Sequence, residues 1–206
     1  MSKGFTLANI VYVISRSVYA FIFKVFFRLD VYGKENIPGE GGFILAGNHL
    51  SLIDPPGFGV ACHRRLSYMA KRELFDNPVG AWILYSYGVF PVKRGSADLG
   101  AMKEAMQRVK DGSGLLLFPQ GTRVKDSEVK PNPGVGFLAV KLQVPVVPAF
   151  IKGSDEAWPK GAKFFRLKKV SIYFGKPHRF TEKMPYDEIA AKVMETIGHL
   201  EENSLS

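Results

Sequence analysis

The run Gly42-Phe43-Ile44-Leu45-Ala46-Gly47 is apolar throughout and stops abruptly at Asn48-His49. A short, continuously apolar segment with turn residues at its end reads as a strand buried on both faces. Leu115-Leu116-Leu117-Phe118, which breaks at Pro119, is a second such strand. Leu66 to Ala70, Gly88 to Val92, Val144 to Phe150 and Val170 to Phe174 are further candidates. Pro148 argues against a regular central strand throughout 144–150, because proline cannot donate to a ladder. Helical spacing lies between these runs. Asp54-Pro55-Pro56 starts a helix with Asp as cap, and Pro78 to Tyr85 follows. Leu99, Met102, Met106 and Val109 share a face that ends at Gly112-Ser113-Gly114. Gly136 to Leu142 is a short helix, and Ile189, Val193, Ile197 and Leu200 form the inner stripe of a last one. Strands alternating with helices predict an α/β fold, a mixed sheet flanked by helices on both faces.

In such a sheet the loops leaving strand ends gather at one edge, where ligands bind. Asn48 to Asp54, Val92 to Ser96 and Phe118 to Arg123 each follow an apolar strand and are predicted to share a cleft. His49 and Asp54 carry the clearest chemistry. Histidine takes and gives protons near neutrality, and an aspartate across a tight turn fixes its tautomer. Taken singly, Asp54 is more often a helix cap before Pro55 and a lone His49 more often a structural group. Arg123, Arg94 and Lys93 suit an anion, arginine by its planar fork. The backbone N–H groups of Gly121 and Thr122 would add donors if their turn is concave.

The first 28 residues form a separate segment, 1–28, ahead of a domain at 29–206. No linker or repeat divides the latter. Phe5 to Phe27 is largely apolar, and Asn9, Arg16, Ser17, Lys24 and Arg28 fall within a third of a helical circumference. Arg16 interrupts the run of about 20 apolar residues that a bilayer crossing needs, and no cleavage site follows as in a secretory signal. One amphipathic helix, or two short ones, in the membrane interface fits this pattern. A helix packing a wide apolar face on the core is the alternative. Lys160, Lys163, Arg166, Lys168 and Lys169 flank Phe164 and Phe165, with Trp158 just before them. That patch reads as a headgroup-binding surface or as a solvated loop feeding a strand.

With 206 residues and 46% hydrophobic composition, the chain is neither disordered nor fibrous. A net charge of +9 favours polyanions, whether nucleic acid, phosphorylated small molecules or anionic lipid. No nucleic-acid-binding motif accompanies it, so no nucleic-acid partner is expected. The lone Cys62 reads as a small buried side chain in a reducing compartment. His63, His178 and His199 read as surface or structural groups. No His, Cys and carboxylate spacing suits a metal.

Four blocks in order resemble the glycerolipid acyltransferases of the lysophosphatidate (1-acylglycerol-3-phosphate) acyltransferase family. They are Asn48 to Asp54, Gly88 to Arg94, Phe118 to Arg123 and Val144 to Pro148, with Gly134 at a position where glycine is usual. The resemblance spans roughly residues 42 to 150. It implies that His49, oriented by Asp54, deprotonates a glycerol hydroxyl as it attacks an acyl thioester. It implies an acceptor held by Asn48, Ser51, Lys93, Arg94, Gln120, Gly121, Thr122 and Arg123. The implied substrates are lysophosphatidate and either acyl-CoA or acyl carrier protein, with no further cofactor. The implied place is the cytoplasmic face of the cell membrane, monotopic or peripheral. Gln120 stands where the family usually has Glu, which leaves other acceptors open. A catalytically silent protein binding anionic lipid is the rival reading. Ser51 lies two residues from His49 and would, on the same side of an extended segment, suit a nucleophile. The resemblance implies direct transfer instead.

Overall fold

The computed structural model describes residues 7–93, 98–123 and 130–204. Its centre is one seven-stranded sheet. The strands are β1 (Asp30–Tyr32), β2 (Phe43–Gly47), β3 (Leu66–Lys71), β4 (Val89–Val92), β5 (Gly114–Leu117), β6 (Val146–Lys152) and β7 (Ser171–Phe174), in the order β1-β7-β6-β2-β5-β3-β4. Every neighbouring pair is parallel except β6 with β7, so the sheet is mixed. The helices are α1 (Leu7–Val25), α2 (Asp54–Ala61), α3 (Pro78–Ser86), α4 (Leu99–Lys110), α5 (Gly134–Leu142), α6 (Ser154–Ala157) and α7 (Tyr186–Asn203).

Alternation along the strands explains why helices cover both faces. Phe43 and Leu45 of β2, Leu116 of β5 and Val147, Ala149 and Ile151 of β6 pack with Phe23 of α1 and Phe58 of α2. Ile44, Ala46, Leu115, Val146 and Phe150 point the other way, onto Ala105 of α4, Leu138 of α5 and Ile189 of α7. β2 is buried at all five positions, as its unbroken apolar sequence requires.

Several expectations need correction. β6 continues through Pro148, in the interior of the sheet. The Pro148 carbonyl accepts from Gly175 N–H at 2.8 Å, and its missing donor would point to that same β7 side. There the register slips by one residue, from Val146 opposite His178 to Ala149 opposite Phe174, so the ladder tolerates the loss. β1 and α6 had no sequence signal; β1 is three residues long and exists through its pairing with β7. α5 begins at Gly134, two residues earlier than expected, where Asn132 Oδ1 takes the Gly134 N–H at 2.8 Å.

The polar residues of α1 do not share a surroundings. Arg16 donates to the carbonyls of Gly59, Val60 and Cys62 at 3.3, 3.2 and 3.1 Å, filling acceptors that the end of α2 leaves open. Ser17 and Lys24 are exposed instead. Beside them Leu7, Ile10, Ile14, Val18, Phe21 and Val25 form an exposed apolar stripe at helical spacing. The helix thus turns part of its polar stripe inward and most of its apolar face outward.

Candidate active site

β2 and β5 are adjacent and parallel, with Ala46 opposite Leu117. The segments that leave them, 48–54 and 118–123, therefore emerge side by side at one sheet edge. His49 N–H donates to Gln120 Oε1 at 3.1 Å, which joins the two turns directly. β6 ends at the same edge because it runs parallel to β2.

The turn 49–54 is organised by one oxygen. Asp54 Oδ2 accepts from Leu50 N–H at 2.6 Å and Ser51 N–H at 2.7 Å, and lies 2.9 Å from His49 Nδ1. Asp54 is fully buried, whereas 12% of the His49 side chain is exposed. Two backbone donors already point at Oδ2, so it can only accept, and Nδ1 must carry the proton. That leaves the Nε2 lone pair as the basic site. The imidazole also stacks on Phe118, with ring centres 4.1 Å apart and planes 15° apart, so one ring face is covered. Together these contacts fix the ring with Nε2 directed away from the carboxylate.

Asp54 was expected to cap α2. It is instead the first residue of that helix and reaches back to the preceding turn, while Pro55 and Pro56 lack N–H groups that would need caps. Its second oxygen, Oδ1, is buried without a hydrogen-bond partner among the described residues.

Two of the expected acceptor contacts are placed as scaffold. Asn48 is buried; it donates to the Ile151 carbonyl at 3.0 Å and accepts from Ile151 N–H at 2.7 Å. Its side chain thereby prolongs the β2–β6 ladder by one rung. Ser51 is fully buried, and its hydroxyl donates to the Trp158 carbonyl at 2.7 Å. That hydroxyl is committed to the 158 loop, not to the imidazole, which removes the geometry a serine nucleophile needs.

The β5 loop turns tightly, with Gly121 N–H donating to the Phe118 carbonyl at 2.9 Å. Gly121 has φ +68°, a conformation that other residues adopt at a cost. Its N–H is spent in that turn and is not a phosphate donor. Gln120 places its oxygen on His49 N–H, so the amide serves the turn whatever else it meets. Thr122 is exposed and Arg123 half-buried. Lys93, exposed at the end of β4, stands three strands from β2, about 14 Å away at the usual spacing. Arg94 lies outside the described residues.

Comparison with known proteins gives these contacts a context. Residues 28–152 match the family model described as Acyltransferase. The chain belongs to the acyltransferase family. Among similar proteins is the 1-acyl-sn-glycerol-3-phosphate acyltransferase of Bacillus subtilis (strain 168), 32% identical over 150 residues, 72% of this chain and 73% of that one. The chloroplastic 1-acyl-sn-glycerol-3-phosphate acyltransferase BAT2 of Brassica napus is 31% identical over 142 residues, 67% of this chain but only 41% of its own length. The crystal structure of the 1-acyl-sn-glycerophosphate (LPA) acyltransferase PlsC from Thermotoga maritima superposes with a TM-score of 0.74 at 26% identity, covering 95% of this chain and 80% of that one.

All ten candidate residues lie inside the span matched to the acyltransferase model, whereas α1, the 158–169 loop and α7 lie outside it. Phe118 and Trp158 are site neighbours that residue-type reasoning had not assigned. Phe118 stood in the block containing Gln120, so its aromatic ring next to a turn was the available signal. Trp158 had none, since its link to Ser51 spans 107 residues. Of two cavities, about 460 Å³ beside Arg28, Lys152 and Tyr173 and about 240 Å³ beside Arg16 and Arg65, neither is lined by His49.

Proposed function

We propose that the chain transfers a fatty acyl group from a thioester, acyl-CoA or acyl carrier protein, to the sn-2 hydroxyl of lysophosphatidate, giving phosphatidate. The observation that carries this reading is the buried Asp54 carboxylate 2.9 Å from His49 Nδ1 at the β2–β5 edge of an acyltransferase-family fold. His49 Nε2 accepts the hydroxyl proton as the oxygen attacks the thioester carbon. The new C–O bond forms, the C–S bond then breaks, and the imidazolium returns its proton to the departing thiolate. General-base assistance of this kind is worth roughly 10²–10⁴ in rate. Arg123, with Lys93 farther along the edge, supplies the positive charge that draws the acceptor phosphate, and Arg94 next to Lys93 in sequence adds to it. No separate cofactor or metal takes part in this scheme.

The acceptor is a membrane lipid, and α1 suits that supply. Its 19 residues are long and apolar enough to cross a bilayer by length and composition alone. One side, however, is pinned to α2 by Arg16, and Phe23 is buried in the core. A helix docked along one side and apolar along the other lies in the interface rather than across the bilayer. The donors named are water-soluble, which suits the cytoplasmic side.

The test is acyl transfer by purified protein to lysophosphatidate in detergent micelles, with phosphatidate detected by mass. The parent is expected to turn over, and His49→Ala to lose at least a hundredfold in kcat. Equal rates in parent and variant would refute the general-base role.

A further inference from the structure

We propose that the loop 158–167 is a second membrane-contact element, separate from α1, that inserts into an anionic bilayer and clamps the catalytic edge to it. This rests on the lipid-acceptor reading above and adds a device to it. The loop follows β6 and α6, so it leaves the sheet at the edge that carries His49, and it lies beyond the span matched to the acyltransferase family.

Its side chains are arranged opposite to those of an ordinary solvated loop. Phe164 is 82% exposed and Leu167 66% exposed. The exposed Lys160, Lys163 and Arg166 neighbour them along the loop, while Lys168 and Lys169 pair with Glu156 and Asp30 at 3.2 and 2.7 Å. Exposed aromatic and aliphatic side chains interspersed with exposed cations match the headgroup region of an anionic bilayer in both polarity and charge. A soluble polyanion would use the cations and leave Phe164 and Leu167 in water.

The loop backbone is held firmly enough to present those tips. The Trp158 indole N–H donates to the Ala162 carbonyl at 3.0 Å, and Arg166 N–H donates to the Ala157 carbonyl at 2.6 Å. Phe165 packs edge-on against Phe26 and Phe27, with ring centres 5.6 and 5.5 Å apart, which makes the patch continuous with the end of α1. The root of the loop also touches the catalytic turn, because the Trp158 carbonyl accepts the Ser51 hydroxyl. Insertion of the loop thus sets the height of His49 above the lipid plane.

Loop insertion is read directly at position 164. Cys62, the single cysteine, is fully buried, so F164C offers an accessible thiol for an environment-sensitive fluorophore. Vesicles of phosphatidylcholine and phosphatidylglycerol in equal parts should shift its emission to the blue, and phosphatidylcholine alone should do so far less. Neutralising three cations with K160Q/K163Q/R166Q should lower partition onto the mixed vesicles by about a hundredfold, at about fivefold per cation. A dye that stays in water while the protein sediments with vesicles would overturn the proposal. So would a triple variant with parental partition that loses turnover only with a protein-borne thioester, since the patch would then serve an acidic soluble partner. No substrate enters the vesicle measurement. A parent protein inactive in micelles would therefore defeat the acyl-transfer reading and leave the insertion result standing.

Discussion

Replacing Asp54 by Asn isolates the charge of the carboxylate from its shape. The amide oxygen is expected to stay at the Oδ2 position, because two backbone N–H groups 2.6 and 2.7 Å away reject an NH₂ there. The Nδ1–H tautomer of His49 is then preserved, and what disappears is the negative charge beside the imidazolium formed during proton transfer. Two unit charges about 4 Å apart attract by about 4 kcal/mol at an effective dielectric constant of about 20. A transition state with half of the proton transferred loses about 2 kcal/mol of that, or about 30-fold in rate, and full transfer about 1000-fold. The expected result is a 30- to 1000-fold fall in kcat, with KM for lysophosphatidate little changed because Asp54 is wholly buried. The amide NH₂ falls where Oδ1 has no partner among the described residues, which costs about 1–3 kcal/mol of stability. Thermal unfolding measured alongside initial rates separates the two effects. A folded D54N protein with kcat within threefold of the parent would refute the reasoning.

Phe118→Leu removes the ring stacked on His49 while keeping an apolar side chain, and an aromatic contact of about 0.5–1.5 kcal/mol predicts a roughly two- to tenfold fall in kcat. Unaltered kinetics would show that Asp54 alone holds the imidazole. Ser51→Ala deletes the bond to the Trp158 carbonyl and should cost about 1 kcal/mol in urea unfolding, with turnover kept within about tenfold. Loss of all activity, with an acylated parent trapped by mass spectrometry, would revive the nucleophile. Arg16→Met breaks three bonds to carbonyls at and just beyond the C-terminal end of α2 and should destabilise the protein by about 2–3 kcal/mol. An unchanged melting temperature would show that this guanidinium is as well served by water.

The fate of individual residues shows where sequence reasoning reached its limit. β2 and β5 were legible because a strand covered on both faces has no polar positions, and their apolar runs end where the turns begin. His49 and Asp54 were legible as a pair because five residues of one turn bring them together, a local matter. Pro148 misled because its cost depends on which neighbour its nitrogen faces, and only the slipped β6–β7 register answers that.

The chain alone determined most of the strands and helices, though not β1 or α6, and it showed which turns carry the polar groups and that α1 has an apolar stripe. Tertiary structure decided what those groups face. It committed Asn48 to Ile151, Ser51 to Trp158 and Gln120 to His49, across separations of 103, 107 and 71 residues. It also turned Arg16 inward and left the apolar stripe of α1 outside. Periodicity along a chain records that two faces differ. Which face meets the core depends on partners brought there by the whole fold.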